Sequence, residues 1–295
     1  MKQLLIYGKK WAAGFLLLAL TVGATAITVD KTAYQLYDRS GEKISYDRLV
    51  SAAQNQDLVF FGEMHDNAIA HWLQLELIMD LHADTARSLA IGMEMFERDQ
   101  QILLDEYSAG YISNRSFENE ARLWQNYKTD YAPIVEFARE NGIKLVATNI
   151  PRRYDSAVYS NGLAALDSLD ATAKEWIAPL PIEVDTTLPG YRDISIAAQG
   201  HGGENLIYSQ AVKDATMAYS ILSVVNDSTR LVHLNGSYHS NNYEGIVWYV
   251  NRSAEELDIL TINTITADEV ESVDTERLQA ADITLVVHSR MTRTY

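Results

Sequence analysis

The 295-residue chain contains no cysteine. That excludes a disulfide framework, a thiolate-ligated zinc or iron–sulfur site, a thiol nucleophile and covalent Cys-x-x-Cys-His haem attachment. Basic residues are few: 24 Lys and Arg stand against 40 Asp and Glu, a formal charge of -16. So acidic a surface disfavours nucleic acid or an anionic membrane as a general partner. Proline is scarce, five in all, and three of the five fall in 179–191, which marks that stretch as a loop. The apolar stretch 11–22 falls short of the roughly 20 residues that a helix needs to span a bilayer. What remains is the profile of a globular chain, 47% hydrophobic with 17 tyrosines.

Lys2, Lys9 and Lys10 precede that apolar stretch, and Ala24-Thr25-Ala26 follows it. Basic start, short apolar centre and small residues at a cut form the layout of a secretory signal peptide. The expectation is a leader over 1–26 and a single mature domain over 27–295, exported to the periplasm or cell surface. An uncleaved N-terminal anchor is the alternative. Without a cysteine after the apolar run, lipoprotein attachment is excluded.

Beyond the leader, short apolar runs recur at 57–62, 89–93, 143–147, 230–234, 257–262 and 283–287. They do not alternate apolar with polar, so both faces of each strand are expected to be covered. Helical patterns lie between them. Residues 68–83 place Trp72, Leu75, Met79 and His82 at three- and four-residue spacing, and 206–225 carry one stripe of Ile207, Ala211, Ala218, Leu222 and Val225. The pattern predicts an α/β fold, a mostly parallel sheet flanked by helices. Helical insertions near 100–127 and 154–225 are read as a small helical subdomain on the rim of the sheet.

An open parallel sheet binds ligands beyond the carboxyl ends of its strands. Glu63, His65, Glu94 and His239 follow three different apolar runs and therefore form the leading cluster. As chemistry, two carboxylates and two imidazoles suit a divalent metal or shared acid–base work on water. As structure, Glu63 caps the next helix and the histidines satisfy backbone carbonyls. His71 and Gln74 share one helix face, and Gln210, Asp214 and Met217 share another; each set lines a pocket or forms the polar flank of an amphipathic helix. Tyrosinate can also ligate ferric haem, and many of the tyrosines lie in the helical insertions, although tyrosine is equally an ordinary half-buried residue.

Gly62-Glu63-Met64-His65-Asp66-Asn67 and Gly92-Met93-Glu94-Met95-Phe96-Glu97-Arg98-Asp99-Gln100 resemble the opening signature of ChaN-like haem-binding proteins. The stretches 131–142, 147–152 and 210–220 are similar to that family as well. The resemblance implies an α/β core with a small helical part, and haem held by tyrosine at a homodimer interface. It implies a role in haem or iron uptake in a bacterial envelope. The family belongs to a wider group with the Tiki proteases and erythromycin esterases, in which such motifs form a hydrolytic site; carried over, the site is Glu63, His65, Glu94 and His239. This chain has one residue fewer between Glu63 and His65 than the esterase pattern, and Gly-Ser-Tyr-His at the late turn in place of a Gly-x-Gly-His-like one. Tyr107, just after the second motif, is taken as the haem ligand, with His71, Gln210, Asp214 and Met217 lining the cofactor pocket.

The leading expectation is an exported haem-binding protein. The competing one is a metal-dependent hydrolase using Glu63, His65, Glu94 and His239 as ligands or catalytic groups. A degenerate member serving as a binding module for another small ligand is the third.

Overall fold

The computed structural model describes residues 31–199, 201–254 and 256–295. The expected leader, 1–26, lies outside the described residues. Eight strands form one sheet: β1 (Tyr34–Asp38), β2 (Lys43–Ile44), β3 (Leu58–Glu63), β4 (Ser88–Glu97), β5 (Lys144–Asn149), β6 (Thr229–Gly236), β7 (Ile259–Ala267) and β8 (Ile283–His288). Their spatial order is β2-β1-β8-β7-β3-β6-β4-β5. The six apolar runs are all strands and all parallel to one another. The fold is α/β, as expected. The sequence reading lacks only the antiparallel margin, β1 and β2.

The uninterrupted apolar runs follow from burial on both faces. Successive side chains of a strand point to opposite sides. Val59 and Phe61 enter one core, with Leu73, Leu77 and Ile78 of α2 (Ala68–Ala83). Leu58 and Phe60 enter a second, with Met217 and Ile221 of α9 (Gly203–Leu222) and Ile246 and Val250 of α10 (Ile246–Ser253). Each such fully buried side chain contributes about 1.5–3 kcal/mol.

The two insertions differ in kind. The first holds α3 (Gln101–Ser108) and α4 (Asn114–Glu120), whose Leu104, Tyr107 and Phe117 join the main core. The second contains α6 (Arg152–Asn161) and α9, and gathers a small core of its own from Ile150, Val158, Leu166, Ile177 and Val212. The sequence reading joins both insertions in one helical subdomain; only the second has a core of its own, and its α9 also packs Met217 and Ile221 against the sheet.

The chain runs from β3 out to β4 and β5, returns to insert β6 between β3 and β4, and then leaves on the other side of β3 through β7. This reversal brings the carboxyl ends of β3, β6 and β4 side by side, where open α/β sheets form their binding crevices.

Candidate functional site

Glu63 is the last residue of β3 and is buried. It does not cap α2. Asn67 does so, accepting the N–H of Ala70 at 3.0 Å, which leaves the Glu63 carboxylate free for side chains. Oε1 accepts from Tyr131 Oη at 2.6 Å and lies 2.8 Å from His65 Nδ1; Oε2 accepts from Gln74 Nε2 at 2.6 Å. His71 is buried behind them, 3.1 Å from Gln74 Oε1 and 3.0 Å from the His65 carbonyl. His71 and Gln74 thus do not line a pocket for a cofactor; they fix the carboxylate that fixes His65. Tyr131 ends a π-helical turn, Tyr127–Tyr131, a local expansion often found at functional sites.

Glu94 comes from β4. The pairing of β4 with β6 ends at Met93, and a register shift separates β4 from β5 between Met93 and Glu97. A bulge of this kind re-aims side chains. Here the Glu94 carboxylate accepts the Gly236 N–H at 2.7 Å. His239 follows β6 in a short turn; its Nε2 is 3.5 Å from Glu94 Oε1 and its Nδ1 is 2.5 Å from Asp214 Oδ1. Asp214 in turn accepts from Tyr191 Oη at 2.8 Å.

Gly236 lies between the two Glu–His pairs. A Cβ there would stand 2.9 Å from His65 Cε1 and 3.7 Å from Glu94 Oε2. Three neighbouring strands therefore bring Glu63, His65, Glu94 and His239 to one edge of the sheet. His65 Nδ1 is held by Glu63, so its Nε2 is the ring nitrogen left for a ligand, on a side chain 34% exposed.

The charges reinforce one another. Burial disfavours a charged His239, yet the Glu94 and Asp214 carboxylates raise its pKa to about 10. Burial would push Glu94 up, but the His239 cation, the neighbouring His65 and the Gly236 N–H hold it well below the usual carboxylate range. His65 is likewise buried against its charge, and the hydrogen bond to Glu63 and the field of Glu94 raise it nonetheless. Burial, then the adjacent carboxylate, raises the hydroxyls of Tyr131 and Tyr191, so both stay protonated donors. At neutral pH the centre holds an ionised Glu94 against an imidazolium His239, suited to proton transfer and to binding a polar ligand.

The same arrangement does not suit the divalent metal that the sequence allows. The Glu63 oxygens are already engaged by Tyr131, Gln74 and His65. Among the described residues no group of three or more His, Asp or Glu is disposed to hold a metal ion. The metal-ligand role drawn for Glu63, His65, Glu94 and His239 is not supported.

Other sequence candidates lie elsewhere. Tyr107 is 2% exposed, its ring stacked on Phe117 at 4.6 Å and its hydroxyl bonded to Glu136. That packing leaves no free hydroxyl for an iron. Of the α9 stripe, Asp214 supports His239, Met217 is in the apolar core and Gln210 is only half-buried. Residues 210, 214 and 217 share a helical spacing but do not form one pocket wall. His233 is a core residue between Thr148 and Asn235, lowered to about 4 by burial.

A cleft of about 600 Å³ opens over the edge, with Glu63, His65, Gly236, Tyr238, Thr264 and Tyr295 in its wall. Tyr238, next to His239 in sequence, is 67% exposed. Tyr131, Tyr191 and Tyr238 are site residues that sequence reasoning does not single out. Only the adjacency of Tyr238 to His239 signals any of them; the others reach the site through tertiary packing.

The fold is that of ChaN of Campylobacter jejuni, solved with cofacial haem: TM-score 0.67, 20% identity, covering 87% of this chain and 97% of that one. A mutant of the erythromycin esterase EreC in its open conformation aligns at TM-score 0.47 and 14% identity, over 78% of this chain and 77% of that one. RETICULATA-RELATED 5, a chloroplastic protein of Arabidopsis thaliana, is 25% identical over 121 residues, which is 38% of this chain. The chain matches only 16% of that plant protein's length. Residues 49–250 match the family model described as haem-binding uptake, Tiki superfamily, ChaN, and the chain belongs to that family.

Proposed function

We propose that this protein binds haem in the cleft over the ends of β3, β6 and β4, and that it is exported to handle haem or iron in a bacterial envelope. The observation that carries this reading is the family match over 49–250. The cleft walls fit the group. Tyr238 offers an exposed hydroxyl to a ferric iron, Ile265 and Tyr295 offer apolar and aromatic surface, and Arg293, paired with Asp66 at 3.0 Å, stands in the same wall. Tyr238 therefore replaces Tyr107 as the ligand we put forward. Bound haem would supply ferric-iron ligation and redox chemistry; the chain supplies the phenol and the closed polar floor of Glu63 and His65.

Hemin titrated into the purified protein should give a Soret shift that saturates at a defined stoichiometry per chain. A linear, unsaturated change would remove the reading. Export rests on the 1–26 pattern, and the intact mass of protein made in a secreting host should correspond to loss of residues through Ala26. A full-length mass in the cytoplasm would withdraw that part. A homodimer, expected from the family resemblance, is checked by sedimentation with and without hemin.

The two Glu–His pairs favour a second reading, metal-independent acid–base hydrolysis. The Nε2 of His65 would take a proton from water, and the His239 imidazolium would give one to the leaving group. Glu63→Gln and His239→Ala should each abolish such activity on an ester panel, and a chelator should leave it unchanged. Activity that survives both substitutions contradicts this reading.

A further inference from the structure

A second cleft, of about 630 Å³, lies beside the first and shares Tyr295 with it. Arg122, Arg152 and Arg153 are in its wall together with Trp124 and Asn126. Nothing in the haem or hydrolase readings uses it.

Three features of this cleft point to one kind of ligand. The first is charge. Arg122 is braced by Glu97 and Asp99, and Arg153 by Asp99 at 2.5 Å, while Arg152 has no carboxylate partner among the described residues. Three cations against two carboxylates leave a net positive wall on a chain whose formal charge is -16. Arginines held by carboxylates are pre-oriented, which lowers the ordering cost of gripping a planar or tetrahedral oxyanion.

The second feature is backbone. Arg152 and Arg153 are the first two residues of the ten-residue α6, whose N-terminus has no side-chain cap. Its free N–H groups and dipole add to the positive field.

The third is a buried acceptor. Asn126 is 3% exposed, and its Nδ2 donates to the His65 carbonyl at 2.8 Å and to Asp130 at 2.7 Å. Those two bonds fix which end of the amide is the oxygen. That Oδ1 is buried and has no donor among the described residues. Buried acceptors in native proteins are normally satisfied, so Oδ1 calls for an O–H or N–H brought by a ligand. Trp124 stands between this cleft and His65, their rings 4.8 Å apart, so an occupant here lies next to the Glu–His centre.

We infer that the Arg122–Arg152–Arg153 cleft is a binding site for a small oxyanion that also carries a hydroxyl, inorganic phosphate above all. The arginines and the α6 N-terminus take the charged oxygens, and Asn126 Oδ1 takes the hydroxyl. This site stands whether or not the neighbouring cleft holds haem.

Calorimetric titration with inorganic phosphate tests it, with sulfate as the matched anion that has no proton to donate at neutral pH. Phosphate should bind saturably at one per chain and about tenfold more tightly than sulfate, the difference that one hydrogen bond to a buried acceptor makes. Methyl phosphate, largely a dianion without a P–OH at neutral pH, should bind no more tightly than sulfate; tighter binding would overturn the hydroxyl's assignment to Asn126. Arg152→Gln should weaken phosphate about tenfold. Arg152 is exposed and braces no other side chain among the described residues, so its loss should leave the melting temperature unchanged. Glu63→Gln should leave phosphate binding unchanged as well. Absence of saturable phosphate binding, equal affinity for sulfate, or full binding by Arg152→Gln would each overturn the proposal.

Discussion

His239 stands between two buried carboxylates, its Nδ1 2.5 Å from Asp214 and its Nε2 3.5 Å from Glu94. The two come from different layers, Asp214 from α9 and Glu94 from the β4 bulge. The helical insertion therefore contributes to the charge state of the site through Asp214. Removing one partner of a buried ion pair leaves the other uncompensated, at a cost of about 3–5 kcal/mol. Asp214→Asn, which keeps the shape and removes the charge, should destabilise the fold by about 3 kcal/mol in urea titration. It should also lower the His239 pKa as followed by NMR. An unchanged His239 titration would mean that Asp214 does not set its charge.

The same pair gives stability a signed pH dependence. The pKa of His239 is raised from 6.5 to about 10 on folding. Its contribution is therefore complete below about 6.5 and is lost as pH rises towards 10. Glu94 is lowered from 4.5, so its contribution is complete above that value and is lost as pH falls through the acid range. The urea midpoint of wild type should exceed that of His239→Gln by most at about pH 6, and the gap should close as pH approaches 10. A gap that widens with pH would refute the assigned charge of His239.

Two glycines separate fold from site. A Cβ on Gly62 would stand 2.8 Å from the Ile262 carbonyl and 3.0 Å from Ser237 Cα, both backbone atoms. A Cβ on Gly236 would meet the His65 ring, which can move. Gly62→Ala should cost about 1–3 kcal/mol in denaturant stability. Gly236→Ala should cost less, but should displace His65 and impair ligand binding at the cleft. Equal stability losses in the two variants would show that His65 is as rigid as the sheet.

Much of this was legible in the sequence because period and chemistry agree there. The run 57–62 reads as a doubly covered strand since Leu58 and Phe60 face one core and Val59 and Phe61 the other. Polar residues directly after such runs, Glu63 and His239 among them, fall at one sheet edge by topology alone. The antiparallel margin was not legible: β2 has two residues, and β1 is only partly buried. Nor were Tyr131 and Tyr191, whose hydroxyls reach Glu63 and Asp214 across 68 and 23 residues of chain. Tyr107 misled for a related reason. A tyrosine beside a motif looks available, and only tertiary packing reveals that Phe117 and Glu136 already occupy its ring and hydroxyl.

The central claim, that ferric haem is held at the carboxyl edge of the sheet by Tyr238, is tested most directly by the absorption spectrum of the hemin complex in two variants. A phenolate-bound ferric haem has a charge-transfer band that a phenylalanine cannot support. Tyr238→Phe should lose that band and bind hemin more weakly, while Tyr107→Phe should keep both band and affinity. An unaltered complex in Tyr238→Phe, or loss of the band in Tyr107→Phe, would contradict the account.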